Sequence, residues 1–344
     1  MKTYHKFLLL FIFSAFSSHA FSQNKDDAVA LVKQGIALHD AGKYPEAIAK
    51  YQEALKIDPD NINTQYELSY TLCSSGRSKE AIPYLEKLVA SNKMAQACDL
   101  LGSTYDDEGQ FDKAEVCYKA GIKAFPDFQR LRFNLALAYL RQKRYPEAET
   151  YAIEAIKLEP KHASSQRTYA LAALGQNKRL CSMMAFCNFL LLEPQTKRSV
   201  EAYEYIDKIF KAGAEQKNIL LTTDKDNKEI TPMSMAEASI AIAASATKAM
   251  ESQNIGSPQE RLSNELKMVF ETTSKAAEKQ ISKDFFWKYY ADYFGKLAQT
   301  DNMPAFTRLI SLSAYREDNL KWFKENDKQL SALDAWVSGT KREF

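Results

Sequence analysis

Residues 95–128 read AQACDLLGSTYDDEGQFDKAEVCYKAGIKAFPDF, and the spacing of their small residues, aromatics and single proline decides the fold. Leu101, Gly102 and Tyr105 fall on one face of a first helical stretch, Gly109 turns the chain, and Phe111, Ala114 and Tyr118 follow on a second. Pro126 stops that second helix, because proline has no N–H to give and its ring clashes with the preceding turn. Outward from this segment the pattern recurs. Ala47, Ala81, Ala114 and Ala148 are separated by 34, 33 and 34 residues, and Leu38, Leu72, Tyr105, Tyr139 and Ala173 keep the same step. Pro59, Pro126, Pro160 and Pro194 mark the end of each unit, missing only from the second. Several ladders in one register define a helical hairpin repeated every 34 residues. Gly35 and Gly102 give a close approach between the two helices of a unit, and the alanine ladder does the same from the opposite side.

The spacing Leu101-Gly102, Tyr105, Gly109, Phe111, Ala114, Tyr118, Pro126 resembles the tetratricopeptide repeat. The fourth unit carries Leu135-Ala136, Tyr139, Tyr145, Ala148, Ala152, Ala155 and Pro160. The fifth is degenerate, with Ser182 in place of the helix B alanine, and the first-position Trp of the family is absent from all five. The resemblance covers about half the chain, residues 28–196, and implies an all-α fold. That fold is a right-handed superhelix of about five helical hairpins, a capping helix and then a further helical domain. The expected units are 28–61, 62–94, 95–128, 129–162 and 163–196, with a capping helix over 197–213. Together they make an array over 23–214, followed by a helical domain over 215–344.

Family members bind partners in a groove lined by helix A positions 2, 5, 9, 12 and 13. Carried over by position, the second unit supplies Asn63, Tyr66, Tyr70, Cys73 and Ser74, and the third Gln96, Asp99, Ser103, Asp106 and Asp107. The fourth supplies Arg130, Phe133, Leu137, Leu140 and Arg141, and the fifth adds Arg167, Leu171 and Leu174. Aromatics and Arg usually dominate interface energy, which makes Tyr66, Tyr70, Phe133, Arg130 and Arg141 the expected anchors, with Asp99, Asp106 and Arg167 beside them. The Lys and Asn pair with which some members grip a chaperone's C-terminal carboxylate has no counterpart at Val32/Ile36, Tyr66/Tyr70, Asp99/Ser103, Phe133/Leu137 or Arg167/Leu171.

The two ends of the chain read differently. Lys2 and Lys6, the apolar run Phe7 to Phe16, and Ala20 and Ser22 before Gln23 predict a secretory signal over 1–22. No Cys follows it to carry a lipid, so the expected location is periplasmic or extracellular. Beyond residue 214 the period is lost. Asn218 to Thr223 and Glu229 to Thr231 flank a polar turn and read as a short hairpin. Ser234 to Glu237 reads as a capping box opening a helix to about Ser252, and Ser257 to Glu260 as another. Phe285, Phe286, Trp287, Tyr289, Tyr290, Tyr293 and Phe294 fill helical core spacings, although such a run also suits a stacking platform for sugar or base. Helices from Pro304 to about Ala314 and from Asp318 to Val337 complete the chain.

Composition narrows the function. The formal charge is +2, and removing residues 1–22 takes away two Lys and brings it to 0, without the basic bias that nucleic acid requires. No later run is long enough for a transmembrane helix. The five cysteines show no CxxC spacing and read as small buried apolar residues. No HExxH, GxSxG or GxxxxGK[ST] occurs, so no catalytic, cofactor or metal residue is expected. The expected function is that of an exported, non-catalytic scaffold or adaptor for a protein or peptide. The competing readings are an envelope glycan-binding protein using the groove aromatics, and an enzyme hidden in residues 215–344.

Overall fold

The structure, a computed structural model, describes residues 25–215, 231–280 and 283–344. The signal segment and the hairpin expected over Asn218 to Thr231 fall outside these, apart from Thr231 itself. Contacts divide the chain into two compact units, through Leu135 and from Ala136 onward.

The first unit contains α1 (25–40), α2 (Tyr44–Ile57), α3 (Ile62–Ser74), α4 (Ser78–Ala90), α5 (Ala95–Asp107), α6 (Phe111–Ala124) and the start of α7 (Gln129–Arg141). They pair as successive hairpins, helix A then helix B. At each A-to-B turn the chain passes through the left-handed region, at Gly42, Gly76 and Gly109. That geometry lets the amide three residues past the helix reach back to its third-last carbonyl. Lys43 N donates to Leu38 O, Arg77 N to Leu72 O and Gln110 N to Tyr105 O, at 2.8, 2.8 and 2.7 Å. The Leu38–Leu72–Tyr105 ladder therefore marks where helix A is closed. Within the hairpins Ala47, Ala81 and Ala114 are fully buried. The Tyr51 ring lies on Gly35 and the Tyr118 ring on Gly102, so close that a Cβ at either glycine would sit 2.5 Å from a ring carbon.

The second unit runs from the rest of α7 through α8 (Tyr145–Leu158), α9 (Ala163–Gly175), α10 (Arg179–Leu192) and α11 (Lys197–Ala214). The same turn device continues, now on Lys143 and Asn177 instead of glycine. Helices α12 (Pro232–Ser252) and α13 (Pro258–Glu278) then lead to a π-helical turn, Trp287–Ala291, which runs directly into α14 (Asp292–Ala298). Helices α15 (Met303–Ile310), α16 (Arg316–Glu325) and α17 (Asp327–Gly339) finish the chain. Leu180 to Leu190 of α10 is buried on every face, and the core around it takes in Phe270, Tyr290, Phe294 and Phe306 from the C-terminal helices.

Several details differ from the sequence reading. Helix α12 starts earlier than its expected capping box: Thr231 is the N-cap, accepting from Ser234 N at 3.1 Å, and Pro232 occupies the first turn. Glu237 is thereby freed to cap a different helix, accepting the Leu180 amide at the start of α10 at 2.9 Å. Ser257 and Glu260 do form their box. The helix from Pro304 ends at Ile310. The expected last helix is broken at Asn326, whose side-chain amide donates to Trp322 O at 2.9 Å and competes with continued helix. The seven aromatics from Phe285 to Phe294 are interior, which excludes their use as an exposed platform. All five cysteines are free thiols, and Cys73 is only half-buried, with its sulfur 3.4 Å from the Thr104 hydroxyl.

Candidate functional site

Six of the eight expected groove residues lie in the first unit. Tyr66 and Tyr70, one turn apart on α3, stack with centroids 6.3 Å apart and planes within 10°. Tyr70, 44% exposed, continues onto His39 of α1 at 5.2 Å, and His39 onto Tyr44 of α2 at 5.3 Å. The row is held from beneath, where His39 Nδ1 lies 2.9 Å from the Thr71 hydroxyl. Val29 and Ile36, on α1 like His39, are exposed at 50% and 39%. The result is an apolar and aromatic surface on which Val29, Ile36 and Tyr70 are exposed and Tyr66 and His39 half-buried. Sequence reasoning missed its α1 part. The positional rule that gave Tyr66 and Tyr70 also gives Val29, Ile36 and His39 when applied to the first unit.

Beside the strip sits a charged pair. Asp99 of α5 is 4% exposed and forms an ion pair with Arg130 of α7 at 2.9 Å, while Asn134 Nδ2 donates to it at 2.6 Å. Burial raises the Asp99 carboxyl above the usual carboxylate range, and Arg130 and Asn134 pull it part of the way back. The Arg130 side chain remains 63% exposed, so it has donors to spare for a ligand. Tyr66 feels both charges, although burial is the main reason its phenol is harder to ionise. Phe133 is half-buried, and Asp106 is buried.

The other two expected residues lie in the second unit. Arg141 borders a shallow cleft of about 350 Å³ with Leu140, Tyr145, Leu171, Leu174 and Tyr205. Desolvation lowers the pKa of its guanidinium. Arg167 is engaged within the fold, in an ion pair with Glu201 of α11. The structure thus gathers Tyr66, Tyr70, Asp99 and Arg130 and leaves Arg141 and Arg167 in separate surroundings. Among the described residues no group of three or more His, Cys, Asp or Glu side chains is placed to hold a metal ion. Nor is any helix among them long and apolar enough to cross a membrane.

Two family profiles match, described as TPR repeat over residues 35–82 and as tetratricopeptide repeat over 100–163. The photosystem I assembly protein Ycf3 of Cyanophora paradoxa is 27% identical over 124 residues, which is 31% of this chain and 72% of that protein. The mouse (Mus musculus) DnaJ homolog subfamily C member 3 is 31% identical over 96 residues, 28% of this chain and 19% of that protein. Among solved structures, MamA aligns with a TM-score of 0.41 at 20% identity, covering 56% of this chain and 97% of its own. YrrB, described as a TPR protein with an unusual peptide-binding site, aligns at 0.43 and 17%, covering 54% and 97%.

Proposed function

Starting from the fact that the chain is a tetratricopeptide-repeat protein, we propose that it is an exported, non-catalytic adaptor whose helix A surface holds a segment of a partner protein. One observation carries this reading: the stacked row Tyr66–Tyr70–His39, with Tyr70 exposed and Tyr66 and His39 half-buried, accompanied by exposed Val29 and Ile36 on α1 and bordered by the Arg130–Asp99 pair. An extended segment lays an aliphatic or aromatic side chain over Tyr70 and sets an acidic group against the outer edge of Arg130. Stacked rings suit this task because they cover area and lose little conformational entropy on binding. The Cyanophora paradoxa relative is by name an assembly protein, and such a role accords with a partner-holding function.

The test is capture from an envelope extract with a photocrosslinking amino acid in place of Tyr70, or with chemical crosslinking of the wild type. The double variant Tyr66→Ala/Tyr70→Ala is expected to reduce capture at least about tenfold, the equivalent of roughly 1.4 kcal/mol. Its melting temperature serves as the control for folding. Recovery of no protein partner by either crosslinking route ends the proposal. Because near-parallel rings are also a surface on which sugars lie, the same variant is run on a glycan array. Wild-type retention of a glycan that the variant loses turns the assignment to a glycan-binding protein.

A further inference from the structure

One site recurs in both units, and only in the second is it filled. The fourth residue of each repeat is Leu31, Gln65, Cys98, Arg132 or Gln166, so glutamine stands there in the second and fifth repeats alone. In both, a proline lies six residues earlier and the glutamine donates to its carbonyl. Gln65 Nε2 reaches Pro59 O at 2.6 Å, and Gln166 Nε2 reaches Pro160 O at 3.0 Å. The second site follows the first by 101 residues, three repeats along the chain.

In the first unit this place is an open cleft of about 420 Å³ at α2, α3 and α4, lined by Leu55, Pro59, Gln65, Pro83, Tyr84 and Lys87 among others. Leu55 and Tyr84 are half-buried, and Pro59, Pro83 and Lys87 are exposed. Their counterparts 101 residues on are Ile156, Pro160, Met184, Ala185 and Asn188, all buried except the half-buried Pro160. The cover there comes from the π-helical turn. Tyr290 Oη donates to Gln166 Oε1 at 2.5 Å, Gln166 Nε2 donates a second bond to Tyr289 Oη at 3.0 Å, and Tyr289 Oη donates to Pro160 O at 3.2 Å. Gln166 thus uses both kinds of hydrogen-bonding group on its amide. Gln65 makes only the bond to Pro59 among the described residues, and it borders the cleft with its carbonyl oxygen and second N–H to offer.

We propose that the cleft of the first unit docks a helix of a partner protein through one tyrosine of that helix. Its hydroxyl donates to Gln65 Oε1 or Pro59 O and accepts from Gln65 Nε2, while its ring lies against Leu55, Pro83 and Tyr84. The filled site supplies the argument for this guest: the same glutamine–proline pair, at the same place in the repeat, is satisfied there by phenols carried on a helical turn. One phenol rather than two is taken, because Tyr84 stands where the second unit has the small Ala185. A second copy of the chain does not supply it from the same turn, whose tyrosines are interior. None of the lining belongs to the row Tyr66–Tyr70–His39, so this docking site is additional to the one proposed above.

The probe is a fluorescein-labelled, alanine-based helical peptide of about 18 residues, titrated with the full chain and read by anisotropy. It carries Phe and Tyr four residues apart, the spacing of Phe286 and Tyr290. The expected result is saturable binding, about fivefold weaker when Phe replaces the Tyr, the worth of one hydrogen bond. Gln65→Leu keeps the bulk and removes the polar partner, and is expected to erase most of the difference between the two peptides. Pro83→Glu sets a charge on an apolar wall and is expected to weaken the tyrosine peptide at least about tenfold. Because it takes a proline out of the interior of α4, it does not cost the helix. Circular dichroism establishes that both variants are folded, and Pro83→Glu carries the test should Gln65→Leu fail to fold. Three results overturn the proposal: the tyrosine peptide does not bind, the two peptides bind wild type equally, or Pro83→Glu binds as well as wild type. Dimerisation of the chain without peptide that Pro83→Glu abolishes assigns the cleft to a second copy and overturns it too.

Discussion

Tyr118 resting on Gly102 shows how much of the repeat depends on one missing carbon. The ring is completely buried, and a Cβ at residue 102 would lie 2.5 Å from its Cε1, well inside van der Waals contact. Gly102→Ala is expected to cost about 1–3 kcal/mol, the usual range for overpacking a filled core, measurable by thermal or urea melting. The role of the glycine was legible in the sequence, because Gly35 and Gly102 recur at one place and have tyrosines in the following helix. The Asp99–Arg130 pair was not, since pairing depends on helices α5 and α7 meeting 31 residues apart, which no local pattern encodes. Its energetics have a definite sign. Burial raises the Asp99 pKa, so its ionisation opposes folding from the ordinary carboxylate range up to its own higher value, and Arg130 offsets part of this. Arg130→Ala is therefore expected to destabilise by about 1 kcal/mol at pH 7, a figure kept small by the exposure of the Arg, and by almost nothing below pH 4. Melting curves at the two pH values decide it.

Among elements, the helix A turns offer a comparison the protein makes for itself. Gly42, Gly76 and Gly109 take the left-handed conformation without strain, whereas Lys143 and Asn177 hold the same place with φ of 59° each. Asn tolerates it, but a long-chain residue pays about 1 kcal/mol or more. Lys143→Gly is accordingly expected to stabilise the protein by about 0.5–1 kcal/mol, visible as a raised denaturation midpoint. Periodicity alone located these helices well because each hairpin repeats the last. In the C-terminal region it did less. Asn326 interrupts a continuous apolar spacing with one side-chain hydrogen bond. The turn Trp287–Ala291 is wound as a π-helix, so its rings do not follow the 3.6-residue stripe that placed them in the core.

Over the whole molecule, Glu265 is a group through which pH acts near neutrality. Its carboxyl is lifted from 4.5 to about 8, so between those values the folded chain keeps a proton that the unfolded chain has released. Stability falls as pH rises through that window, by at most about 1.4 kcal/mol per unit, and the loss is complete above about 8. Glu265→Gln is expected to match wild type at pH 4 and to exceed it by roughly 1–3 kcal/mol at pH 8, in chemical denaturation at both. Nothing in the sequence singled out this residue, one Glu among many on an amphipathic helix, because its desolvation comes from α11 and α12. The reach of the second core was equally hidden: the 34-residue ladders end near Pro194, yet the core around α10 also draws in helices that follow them.

The position of α10 in chain order has a temporal consequence. Its first turn is closed by Glu237, 57 residues after Leu180. A ribosome adding roughly 5–20 residues per second delivers that carboxylate some 3 to 11 s later. During this interval Leu180 to Leu190, buried on every face in the finished fold, has left the tunnel without its cap and without the C-terminal helices that complete its cover. The nascent chain is therefore most prone to aggregate midway through synthesis, and translation speed and the supply of holding chaperones become determinants of its yield.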